Sequence, residues 1–146
     1  MSKNKKIAIA ADHAGFDLKT SLIANLVENG YEVEDLGCNS AKIPVDYPDF
    51  AFAVSKKIST KQVDFAVLIC GSGIGISIAA NREKQVRAAL CVDENMAKLA
   101  RLHNDANVIC FGARLIDKDR AAKTLQVFLN TEFEGKRHEA RIKKMS

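Results

Sequence analysis

The sequence predicts an α/β protein, a three-layer α/β/α sandwich built on a five-stranded parallel sheet. Three observations point there. Short apolar runs alternate with amphipathic helical stretches along the whole chain. The run Val63–Cys70 is almost continuously apolar, as in a strand covered on both faces. A glycine-rich turn, Gly71-Ser72-Gly73-Ile74-Gly75, then joins that strand to a helix.

Lys6–Ala11 reads as the first strand, followed by Asp12-His13-Ala14-Gly15 and a helix whose Phe16, Leu22, Ile23, Leu26 and Val27 recur at three-and-four spacing. Gly30 closes that helix as a left-handed cap. Tyr31–Leu36 alternates apolar and polar residues, the pattern of an outer strand. A loop from Gly37 to Asp46 leads to Pro48, suited to the first turn of a second helix with Phe50, Val54 and Ile58 as its buried stripe. The third strand ends at Cys70, and a short apolar helical stretch, Ile76–Asn81, follows the glycines. Val86–Val92 is the fourth strand. Asp93 and Glu94 open the next helix and Arg101 and His103 close it, charges that match the helix dipole. Ala106–Phe111 is the fifth strand, and Asp117 can cap a helix carrying Ala121, Leu125, Phe128 and Leu129 on one side. A basic helix of about residues 136–146 ends the chain. Such alternation gives a Rossmann-like parallel sheet, whose ligands bind beyond the carboxyl ends of its strands. Asp12, His13, Cys70, Ser72, Cys91 and Gly112 all fall at that edge.

With 146 residues, 47% of them hydrophobic, the chain suits one domain, 1–146. No apolar run approaches a membrane span, and the opening Met1-Ser2-Lys3-Asn4-Lys5-Lys6 leads into a strand rather than a signal-peptide core, so a cytoplasmic protein is expected. The cysteines, Cys38, Cys70, Cys91 and Cys110, form no CxxC pair and no zinc-site spacing. Reduced thiols and no metal are expected. The net charge of +4 resides in the last eleven residues, where Lys136, Arg137, Arg141, Lys143 and Lys144 face only Glu139. That tail is either a solvated terminus or a lid over a phosphate. It carries no aromatic residue to stack on bases, which argues against nucleic acid.

The turn after Cys70 is a loose match to a dinucleotide fingerprint, and it lacks the Gly-Lys-Ser/Thr ending of a P-loop. Nicotinamide cofactors and nucleoside triphosphates are therefore disfavoured, and an oxyanion or phosphate cradle remains. Helix N-termini and amide nests favour thiolates, so Cys70 is the candidate reactive group. The plainer reading is that unbonded cysteine behaves as a small buried hydrophobe, and it fits Cys91 and Cys110, which lack such a nest. His103 shares its helical face with Met96 and Leu99, the position of a packed core histidine. Arg101, Asn104 and Asp105 beside it make a polar cluster that is costly to bury without purpose. His13 sits where a strand meets a helix start, and Asp12 can be an N-cap.

Several blocks together resemble the ribose-5-phosphate isomerase B family of ribose/galactose isomerases. They are Ala11-Asp12-His13-Ala14-Gly15, Asp46-Tyr47-Pro48, Ile69–Ser77, Ala79-Ala80-Asn81, Leu102-His103-Asn104-Asp105 with Asn107-Val108, Phe111-Gly112-Ala113-Arg114, and Glu134–His138 with Arg141. The resemblance implies interconversion of ribose 5-phosphate and ribulose 5-phosphate through an enediolate, with no cofactor, in a homodimer or tetramer with shared active sites. It implies Cys70 as the base, Ser72 beside it, and the amides of Gly71, Gly73, Ile74 and Gly75 on the enediolate oxygen. His103 would open the furanose ring, with Asp12 near the sugar hydroxyls and Tyr47 and Asn104 lining the pocket. His13, Arg137, Arg141 and Arg114 would hold the phosphate, and His103, Asn104 and Arg114 would come from the neighbouring subunit. One branch of the family replaces the cysteine by a glutamate six residues on. Here that position is Ile76, which places this chain in the cysteine branch. Allose 6-phosphate, galactose 6-phosphate or a non-catalytic phosphosugar-binding role are the alternatives.

Overall fold

The structure is a computed structural model that describes residues 5–146, so the start of the polar lead-in, residues 1–4, lies outside the described residues. Its strands are β1 (Lys6–Ala11), β2 (Glu32–Asp35), β3 (Phe65–Cys70), β4 (Ala88–Leu90) and β5 (Val108–Gly112). They pair in the order β2-β1-β3-β5-β4, every pair parallel. Parallel neighbours need crossovers, supplied by α1 (Phe16–Glu28), α2 (Tyr47–Ser59), α3 (Ile74–Ala80) and α4 (Glu94–Asn104), while α5 (Lys118–Asn130) and α6 (His138–Met145) end the chain.

Side chains alternate across the sheet, so each central strand feeds two cores. On one face Ile7, Ile9, Val67, Ile69, Ile109 and Phe111 meet Leu18, Leu22 and Leu26 of α1 and Leu125 and Phe128 of α5. On the other, Ala8, Ala10, Leu68, Cys70 and Cys110 meet Val54 and Ile58 of α2 and Ile76 and Ala80 of α3. This is the expected three-layer sandwich. No helix among the described residues is long and apolar enough to cross a membrane.

Helix ends follow their sequence signals. Asp93 Oδ1 accepts the Met96 amide at 2.9 Å, and Asp117 Oδ1 accepts the Arg120 amide at 2.8 Å. Gly30 takes φ +87° and its amide donates to the Val27 carbonyl, ending α1 as predicted. Three local expectations change. Val27 is 60% exposed, because one step past Leu26 turns the side chain about 100° away from the buried stripe. The fourth strand is only Ala88–Leu90, an edge strand pairing with β5 alone. Val86 and Cys91 at its ends are still buried, and the Cys91 amide gives the last bond to β5, to the Cys110 carbonyl at 3.1 Å. In the third strand, Val63 is likewise buried ahead of a strand that starts at Phe65.

Candidate active site

The register places the ends of β1, β3 and β5 side by side, with Ala11 opposite Ile69 and Cys70 opposite Gly112. Chain continuing past each end is drawn inward. The Asp12 amide donates to the Ile69 carbonyl at 3.1 Å, the Ala113 amide to Cys70 at 2.9 Å, and the Arg114 amide to Gly71 at 3.0 Å. Asp12, Cys70 and Arg114 thus converge at one edge because their strands end together.

Cys70 itself is 4% exposed, and its sulfur accepts the Gly73 amide at 3.2 Å. Gly73 begins α3 at φ +78°, a conformation that favours glycine, and a Cβ there would press on Leu90 and on the backbone of Phe111. Ser72 is half-buried beside the thiol, and its Oγ accepts the Ile74 amide at 3.1 Å. Two amides of the expected cradle are therefore directed onto the cradle's own side chains. The rim is formed by exposed Ile74, by the Tyr47 ring packed against Gly75, and by the Arg114 guanidinium, whose Nη1 lies 2.5 Å from where a Cβ on Gly71 would stand. A larger residue at Gly71 or Gly75 would displace those side chains.

Asp12 is buried and acts as the cap its position allowed, its Oδ1 accepting the amides of Ala14 and Gly15 at 3.0 and 3.1 Å. The His13 Nδ1 accepts the Val45 amide at 3.1 Å, which holds the ring and leaves Nε2 for another partner. Burial above all pushes the Cys91 thiol up to about 12, with Asp93 adding to it, and pushes Cys110 well above the ordinary thiol range. Neither can serve as an ionised sulfur near neutral pH.

The remaining candidates lie elsewhere. The helix α4 begins just past β4 at the carboxyl edge and runs back about 16 Å, so His103 and Asn104 stand at the amino-terminal edge of the same chain. The tail packs there too, with the Glu134 amide donating to the Leu102 carbonyl at 3.1 Å. The His138 ring stacks on His103 with centroids 4.5 Å apart, and Arg137 and Arg141 are exposed beside them. Within the polar cluster, Arg101 and Asp105 are structural. Arg101 Nη1 donates to Asp105 at 2.8 Å and to the Ala106 carbonyl at 2.7 Å, tying the end of α4 to the start of β5. His103 is not the packed core histidine that periodicity alone suggests, since its side chain is 39% exposed.

Arg114 departs from expectation, lying against the Gly71 turn of its own chain because the loop after β5 is pinned to the one after β3. The sequence reading also missed that Glu134 and His138 gather around His103. Both Nε2 atoms face one carboxylate oxygen of Glu134, at 3.9 Å from His103 and 3.7 Å from His138. Burial first, then Arg137 and His103, hold His138 below the ordinary imidazole range. Thirty-one positions separate His103 from Glu134, and no short motif announces such a grouping.

Residues 7–145 match the family described as Ribose/Galactose Isomerase. The chain is 44% identical over 138 residues to ribose-5-phosphate isomerase B of Escherichia coli, covering 94% of this chain and 92% of the relative. A ribose 5-phosphate isomerase structure from Thermotoga maritima superposes with a TM-score of 0.95 at 49% identity, covering 97% of each chain. Ribose-5-phosphate isomerase B of Mycoplasma genitalium, solved with bound ribulose-5-phosphate, superposes at 0.91 with 43% identity, covering 96% of this chain and 93% of that one. With the sheet order and the matched span in agreement, the chain belongs to the ribose/galactose isomerase family.

Proposed function

We propose that this chain is a single-domain, cytoplasmic aldose–ketose isomerase that interconverts ribose 5-phosphate and ribulose 5-phosphate without a cofactor. The observation that carries the reading is Cys70, fixed by the Gly73 amide at the strand edge where β1 also delivers Asp12 and His13, and followed by a turn that carries Ser72 and packs against Tyr47 and Arg114. The relatives named for this reaction support it.

The Cys70 thiolate takes the proton from C2 of the open aldose, and the C–H electrons form the C1–C2 double bond of an enediolate. The aldose carbonyl pair moves onto O1, and the O2 proton passes to O1. The O2 pair forms the new carbonyl, and the C1–C2 pair takes the proton back from the thiol at C1, which regenerates the thiolate. Removing a proton beside a carbonyl needs a base active near neutral pH and donors on the developing oxyanion. In this reading Ser72 and the amides of Gly71 and Gly75 serve as those donors, and the Gly73 and Ile74 amides join them only by leaving the Cys70 sulfur and the Ser72 hydroxyl. Because Cys70 is nearly covered, substrate reaches its sulfur along the rim made by Ser72 and Ile74.

The active unit is a pair of chains. In this reading the carboxyl edge of one chain supplies Asp12, His13, Tyr47, Cys70, Ser72 and Arg114, and the far edge of its partner supplies His103 and Asn104. His103 opens the furanose ring, and His13, Arg114, Arg137 and Arg141 bind the phosphate, whose remote binding energy orients the reacting carbons.

Incubation with ribose 5-phosphate in deuterated water tests the proposal. Ribulose 5-phosphate carrying deuterium at C1, with label entering C2 of the aldose, is the expected result by NMR. Absence of both conversion and label leaves a phosphosugar-binding domain and overturns the reading. Conversion without label after many turnovers removes the thiol base.

A further inference from the structure

We infer that His103, Glu134 and His138 form a binding site for one first-row transition cation of the zinc class, and that filling it withdraws His103 from reaction. The three side chains each offer one donor atom, and these atoms all lie within 4.8 Å of one another. Zinc bonds of about 2.0–2.2 Å in a tetrahedron set neighbouring donors roughly 3.3–3.6 Å apart. The spacings of 3.7 and 3.9 Å to the Glu134 oxygen need to close by only a few tenths of an ångström. Because the two imidazoles are stacked at 19°, the more exposed His103 ring has to turn for both Nε2 lone pairs to meet one ion.

A second, independent observation points to a ligand. The His138 Nε2 is buried and has no hydrogen-bond partner, which leaves a polar atom unsatisfied at a cost that a metal bond would remove. Its side chain is 6% exposed, whereas those of Glu134 and His103 are 34% and 39% exposed, so an ion enters from their side. The frame is held by backbone, through Glu134 to Leu102 and through the His138 amide to Gly135 at 3.1 Å. Arg137 lies 3.9 Å from the other Glu134 oxygen, Oε2, leaving Oε1 free to face both rings. Two imidazoles and a carboxylate suit zinc, and three protein ligands leave a fourth position for water.

The inhibitory half rests on the proposed isomerase reading: an Nε2 bound to a metal has no lone pair with which to accept a proton from the sugar. The site half does not depend on it.

The test titrates chelator-treated, full-length protein with zinc chloride by calorimetry, and with cobalt(II) by visible absorption. One zinc per chain is expected, together with a cobalt spectrum of nitrogen and oxygen ligands lacking thiolate charge-transfer bands. Binding should weaken at least tenfold in His138→Ala and in Glu134→Gln, and stay unchanged in Cys70→Ser. Glu134→Gln changes only a partly exposed carboxylate, so it guards against a folding defect in His138→Ala. Equal affinity in wild type and both variants, or loss of binding in Cys70→Ser, overturns the site. In a parallel assay with ribose 5-phosphate, zinc should lower wild-type turnover reversibly, with EDTA restoring it. The same zinc should affect Glu134→Gln much less, relative to that variant's own metal-free rate. Zinc binding with unchanged turnover overturns the inhibitory half, whereas absence of turnover in any condition defeats the isomerase reading and leaves the binding result to judge the site.

Discussion

The Cys70 sulfur has a single backbone donor, and its neighbours Cys91 and Cys110 are held protonated by burial. In the isomerase reading, proton transfer therefore depends on the Cys70 sulfur alone. Cys70→Ala should lower kcat by about 10²–10⁴-fold, the span of general base catalysis, while ribose 5-phosphate still binds. Steady-state kinetics and calorimetry on the variant would show it, and retained turnover would assign the proton to another group. Gly73 supports that sulfur through backbone conformation. Gly73→Ala combines a left-handed φ with collisions against Leu90 and Phe111, and should destabilise by about 1–3 kcal/mol in denaturant unfolding. Turnover should fall as well, since the amide that fixes Cys70 would shift.

Between elements, the ion pair of Lys19 on α1 with Asp35 at the end of β2 ties the sheet edge to its covering helix. Lys19 Nζ donates to both Asp35 oxygens at 2.7 and 2.9 Å, with the lysine side chain 2% exposed and the aspartate 44%. Breaking a fully buried pair costs about 3–5 kcal/mol, and the water-facing carboxylate screens part of that. Asp35→Asn should thus lose about 1–3 kcal/mol in chemical unfolding, and a neutral result would mean the lysine finds water. This pair is invisible to periodicity, because a lysine at position 19 reads as solvated. The strands, by contrast, were legible, since burial on both faces leaves continuous apolar runs in β1, β3 and β5. The ends of the fourth strand were not, because Val86 and Cys91 are buried like strand residues while lying outside Ala88–Leu90. At the site, Cys70 and its glycines were legible as a local motif. The edge that His103 occupies follows from helix direction, and its company with Glu134 and His138 depends on how the tail folds back, which local pattern does not encode.

Across the molecule, Cys70 and His103 lie at opposite ends of the parallel sheet. No side chain spans that distance, so in the isomerase reading each site is completed by a second copy. Cys70→Ala and His103→Ala homomers should each be nearly inactive. Mixed after reversible dissociation, they should regain up to about a quarter of wild-type activity, because random pairing makes half the dimers mixed and each of those has one intact site. No recovery, with mixed dimers verified by mass spectrometry, would return both groups to one chain. The exposed apolar side chains Ile74, Ile78, Val92, Met96, Leu99 and Leu115 are available for such a contact. Turning α4 away from the thiol has one more outcome. On dilution, activity per chain should fall as dimers separate, so in very dilute solution the observed rate should rise with the square of protein concentration.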